Sequence, residues 1–150
     1  MRALPVHLDT LPRPVGRLTL CDGYGMAYYS DVFSIRAEIA AAEAVFVFSR
    51  LEGIWPQPLF VGLIGAVPVQ LDRHPMRARA MALGGVHLIL HKPEPDDPVK
   101  APDAAERMIA WYRPVLNGAP VQHRLQQAAG SARETGTSAL PTGRRAEFRL

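Results

Sequence analysis

Two apolar runs separated by a turn sequence dominate the middle of the chain. Residues 43–65, EAVFVFSRLEGIWPQPLFVGLIG, read as a strand AVFVFSR, a turn LEGIWPQ and a strand PLFVGL, ending on a glycine step into the next segment. Phe46, Phe48 and Phe60 on these strands are expected in the core, because a large ring gains most from leaving water. Further on, AVPVQLDRHPMRARAMALG has helical character broken at Pro68 and Pro75, and VHLILH predicts another strand. A proline-rich acidic loop, KPEPDDPVKAP, leads to a helix DAAERMIAWY with Asp103 at its start as a cap and Pro114 as its stop. Upstream, GRLTLC is a strand candidate, DGYGMAYYSD an aromatic, glycine-rich loop, and IRAEIAAAE a short helix.

The pattern divides the chain into three zones. Residues 1–42 form a lead-in that packs on the body, residues 43–117 form the body in the order ββααβα, and residues 118–150 form a tail. The tail's GSARETGTSALPTGRR is short of large apolar residues, so it buries too little surface to offset the entropy of ordering and is expected to be mobile.

Composition narrows the class. A chain of 150 residues with an apolar fraction of 48% supports one domain with a sizeable core. The single cysteine, Cys21, cannot form an internal bridge and reads as a small hydrophobe. Pro5, Pro12 and Pro14 break the N-terminal segment, and no stretch approaches the roughly 18 apolar residues of a spanning helix. The expectation is a cytoplasmic protein with no membrane partner. The net charge of +3 lies wholly in the tail, where five arginines from Gly118 onward face two glutamates. A formally neutral body lacks the strongly basic footprint of a dedicated duplex binder.

The frame AVFVFSR, PLFVGLIGAVPVQLDRHPMRARAMALGGVHLIL and AAERMIAWYRPVLNG resembles the GIY-YIG nuclease superfamily, in particular its small bacterial members. The resemblance covers roughly residues 43–117 and rests on Gly62, His74, LGGVHLIL and RPVLN in that order and spacing. It implies an α+β fold, a small three-stranded antiparallel sheet flanked by helices, with a groove where one divalent metal meets a DNA phosphate. It also implies an activating tyrosine pair, an arginine gripping the phosphate and a metal-binding glutamate on the last helix. At the matching positions this chain has Ala44-Val45-Phe46 and Phe60-Val61-Gly62, then Gln70 and Ala105. Both tyrosine hydroxyls, the guanidinium and the carboxylate are missing there.

His74 alone keeps a functional identity, with Glu106 one residue from the glutamate position and turned by about 100° on a helix. Arg73, Arg77 and Arg79 near His74, and Arg144 and Arg145 in the tail, are the candidate binding residues. His87 and His91 share a strand face and have the spacing of a ligand pair, and EPDD at 94–97 offers carboxylates, but both read better as ordinary solvated groups. No metal or other cofactor is expected. The resemblance with its chemistry removed implies a pseudoenzyme: a non-catalytic interaction or structural module in a bacterial or phage DNA-processing or particle assembly, with a protein or nucleic acid as partner. The alternative is a magnesium- or manganese-dependent endonuclease with a rearranged site built on His74, Glu106 and one of the nearby arginines.

Overall fold

Alternation of large apolar with small or polar side chains makes strand the main regular structure of the described residues. The computed structural model describes residues 12–118 and 147–149. In chain order its elements are β1 (Gly16–Cys21), β2 (Ala27–Ser34), β3 (Ala40–Ala41), β4 (Ala44–Glu52), β5 (Trp55–Ile64), β6 (Val69–Gln70), α1 (Pro75–Ala82), β7 (His87–His91), α2 (Ala101–Tyr112) and β8 (Glu147–Arg149). Single 3-10 turns cover Leu71–Arg73 and Val115–Asn117. The strands β5-β4-β7-β2-β1-β8 form one antiparallel sheet in that order, and β3 with β6 forms a separate two-stranded ribbon.

This corrects the expected small three-stranded sheet flanked by helices, and with it the order ββααβα. The architecture is mostly β, and only two α-helices lie among the described residues. The three expected strands are present as β5-β4-β7, but β1 and β2 extend the same sheet rather than packing on it as a lead-in. Half of the expected aromatic loop is strand, because Tyr28, Ser30 and Val32 alternate inward and β2 pairs with β1 from Gly16↔Val32 to Cys21↔Ala27. The tail expectation falls mostly outside the described residues; residues 147–149 of it pair with β1 as β8.

The expected helix over IRAEIAAAE does not form; the segment is a link held by distant partners. Strands β2 and β4 both run antiparallel to β7, so the link between them must return along the sheet and cross it. From Ser34, opposite His87, to Val45, opposite His91, the path is about 13 Å along the strands and about 10 Å across them. Extended backbone covers it. The link is held by Ile35 N–H donating to Val86 O, by Leu71 N–H donating to Ile39 O, and by the pairing of Ala40 and Ala41 with β6.

The sheet separates two cores. On one face Leu18, Leu20, Tyr28, Val32, Val45, Val47, Val61 and Ile89 meet Ala104, Ala105 and Met108 of α2. On the other, Phe33, Phe46, Phe48, Leu88 and Leu90 are covered by Ile35, Ile39, Leu71 and Ala80. The outer edge of β5 is closed at one point: Asn117 Oδ1 accepts the Val61 N–H at 2.8 Å, and its Nδ2 donates to Val61 O at 2.9 Å.

One buried group stands outside this satisfaction. The Ser49 hydroxyl on β4 is fully buried and has no hydrogen-bond partner among the described residues. Desolvating a lone hydroxyl costs free energy that no bond returns. Ser49→Ala is therefore expected to leave stability unchanged or raise it by about 1 kcal/mol, read as a urea midpoint. A fall of that size would contradict the assignment.

Candidate functional site

Of the positions expected to carry nuclease-type chemistry, three come together. Phe46 and Phe60 face each other across the β4–β5 hairpin with ring centroids 5.8 Å apart, and His74 lies 5.1 Å from Phe46 and 5.5 Å from Phe60. Phe48 completes the cluster at 5.3 Å from Phe46. The Phe46 ring sits directly over Gly62, its register partner, where an added Cβ would come within 2.3 Å of the ring carbons. The rings pack against one another and against His74, filling the space between the hairpin and the start of α1. His74 is committed to structure as well: it is the N-cap of α1, and its Nδ1 accepts the Met76 N–H at 3.1 Å, with Pro75 at the first helical position.

Burial holds His74 below the ordinary imidazole value of 6.5, and the bond from Met76 needs an unprotonated Nδ1. Burial lowers His87 in the same way. The unfolded chain thus binds protons first as pH falls below about 6.5, so stability rises with pH across that window and drops on acidification through it. Urea midpoints measured from about pH 7 down to about pH 5 are expected to decline, and the decline is expected to shrink in His74→Gln. A flat profile would refute this.

The other expected positions lie elsewhere. Gln70 is exposed on β6 and donates from Nε2 to Asp72 Oδ1 at 2.7 Å. Ala105 is buried in the core beneath α2, and Glu106 is exposed on that helix, so both belong to the face opposite His74. Arg73 and Arg79 are exposed at α1, while Arg77 donates from Nε to Ile35 O at 2.9 Å and so pins the crossing link. Arg144 and Arg145 lie outside the described residues. His87 and His91 do share the α2 side of β7, but His91 Nδ1 is 2.9 Å from Tyr29 O and its ring packs edge-on against Tyr28. In the acidic loop, Asp97 Oδ2 accepts the Glu94 N–H. Among the described residues no group of three or more His, Cys, Asp or Glu is placed to hold a metal.

Asp22, which the sequence pattern did not single out, organises the β1–β2 loop. Its side chain is wholly buried, and its Oδ1 accepts the N–H groups of Tyr24 and Met26 while Oδ2 accepts the Tyr28 hydroxyl. Arg107 of α2 stands 3.7 Å from the same carboxylate. Burial pushes the Asp22 carboxyl up, but these donors and the guanidinium outweigh it and hold the group below the usual value. Burial and the bond to Asp22 raise Tyr28 in turn. The Tyr112 hydroxyl clasps both backbone groups of Cys21, and Trp111 lies against Gly23, where a Cβ would come within 2.4 Å of the indole. The Asp22-Gly23 pair was the available signal, since an aspartate beside a glycine templates a turn with its own carboxylate.

Compared with known proteins, the chain matches no family model, no curated protein and no solved structure. No helix among the described residues is long and apolar enough to cross a membrane.

Proposed function

We propose that the chain is a non-catalytic interaction module, taking a protein or nucleic acid as partner. The observation that carries this reading is the division of the expected chemistry between two faces of one sheet. His74 lies among the phenylalanines under α1, and Glu106 lies on α2 on the far side, so the two cannot act on one phosphate. Phosphodiester hydrolysis needs an activated water, a cation and a metal acting at the same atom, and losing even one such group commonly costs on the order of a hundredfold in rate. Of the described candidates, His74 caps α1 and Arg77 pins the crossing link, so both are engaged in holding the fold together.

The test is incubation of the purified chain with single-stranded, double-stranded and branched DNA, and with RNA, in magnesium or manganese. No cleavage above a matched blank is expected. Metal-dependent cleavage that vanishes in a His74→Ala, Glu106→Ala double variant would overturn the reading.

A further inference from the structure

A groove lies beside the phenylalanine cluster, on the β1–β2 end of the α1-side sheet face, with Leu90, the register partner of Phe46, in its lining. It measures about 1100 Å³ and is formed by the segment entering β1, by the middle of β2, and by the chain leaving β7. Strand alternation puts Thr19 of β1, Tyr29 and Asp31 of β2 and Leu90 of β7 on this face, with Thr19 paired to Tyr29 and Asp31 paired to Leu90. The same alternation carries on to Lys92, which follows β7 and lines the groove beside Tyr29.

Tyr29 is the anomaly. It sits in mid-strand on a sheet face, yet it is 73% exposed, in a molecule whose other mid-strand rings at Tyr28, Phe33, Phe46 and Phe48 are buried. Its only large flat surface is therefore presented to the groove. Around it stand Arg13, Arg17 and Lys92, against Asp31 and Glu94. Arg17 is partly satisfied by Asp31 at 3.5 Å, but Arg13 and Lys92 form no ion pair among the described residues.

We propose that the Tyr29 groove is a binding site for single-stranded nucleic acid, with an unpaired base stacked on the Tyr29 ring and the flanking phosphates held by Arg13 and Lys92. This deepens the reading of the chain as a non-catalytic module and rests on it. The combination of features decides the ligand class. Cations beside a groove attract any polyanion, but an exposed ring on a concave sheet face adds something only for a ligand with a free π-face. Bases in a duplex are stacked on each other and present their edges, so they cannot lie on Tyr29 without being extruded. An acidic peptide would use the cations and leave the ring idle. No base-edge reader is implied, so affinity is expected to be tolerant of sequence and to weaken with salt.

The experiment is fluorescence anisotropy of the full chain with labelled oligothymidylate, oligouridylate, a duplex of equal length and a polyglutamate peptide, all in a metal chelator at two salt concentrations. The chelator makes binding independent of any hydrolysis, so this assay and the cleavage assay fail separately. Single strands are expected to bind more tightly than duplex or peptide, with the thymidylate and uridylate arms telling DNA from RNA. Tyr29→Ala is expected to weaken that binding by roughly five- to a hundredfold, Tyr29→Phe to retain it, and Arg13→Ala with Lys92→Ala to lower both affinity and salt dependence. Because the ring is exposed, thermal unfolding of Tyr29→Ala should match the parent. Failure of the parent to bind single strands, equal binding by Tyr29→Ala, or duplex or peptide bound as tightly would overturn the site.

Discussion

Truncating Phe46 to alanine is expected to cost about 3–5 kcal/mol, enough to remove a large fraction of the stability of a domain of this size. The ring is 1% exposed and is held between Phe48, Phe60 and His74 on one side and Gly62 below. Two neighbours of the cavity cannot relax into it: Gly62 has no side chain to extend, and His74 is tied by its bond to the Met76 amide. Phe60 is only half-buried at the rim of the same cluster, so Phe60→Ala should cost less and Phe60→Tyr should be tolerated with its hydroxyl at the solvent edge. Urea midpoints of the three variants decide the matter. A Phe46→Ala midpoint no lower than that of Phe60→Ala would show that the cluster is not the centre of this core.

Asn117→Ala is the second substitution with a large expected effect, although it removes no apolar contact of note. Its amide meets both backbone groups of Val61, and Asn117 is buried, so the alanine variant leaves a donor and an acceptor unpaired with little water to replace the lost bonds. Each such orphan costs about 1–3 kcal/mol, giving an expected loss of about 2–6 kcal/mol for the two. Asn117→Asp is a sharper control: one carboxylate oxygen still accepts the Val61 N–H, while the other faces the Val61 carbonyl as a second acceptor. It should therefore also destabilise near neutral pH and recover when the carboxyl is protonated. If both variants unfold at the parent's midpoint, water or another group satisfies Val61 and the role assigned to the amide is wrong.

The strands that were legible in the sequence are those whose pattern is local. AVFVFSR, PLFVGL, VHLILH and GRLTLC announce themselves by runs of β-branched and aromatic residues, and they appear as β4, β5, β7 and β1. The helix DAAERMIAWY appears within α2 for the same reason, with apolar positions recurring at helical spacing. What escaped was decided by distant partners. Ile35 and Ile39 have the spacing of one helix face, yet bonds to Val86, Leu71 and β6 hold that segment as a crossing link. Tyr28 and Tyr29 look alike in sequence, but neighbouring strands send one into the α2 core and leave the other exposed over a groove.

The positions compared with the nuclease frame divide between the two faces of the sheet. Hairpin register and a short connection place Phe46, Phe60 and His74 in one neighbourhood. Sequence spacing could not place Ala105 and Glu106, because the side of the sheet on which α2 lies is a property of the whole topology. The roles of Asp22 and Asn117 escaped because each depends on a buried polar side chain meeting backbone groups, which leaves no periodic trace.

The Asn117 amide also sets an order of events during synthesis. Val61 and Asn117 are separated by 56 positions, so the β4–β5 hairpin leaves the ribosome long before the residue that closes its edge. For that interval the nascent strand offers open backbone donors and acceptors to any neighbouring chain, which is the geometry that seeds intermolecular pairing. Chains released early, by a stop codon or a cleavage anywhere before residue 117, would carry that adhesive edge permanently.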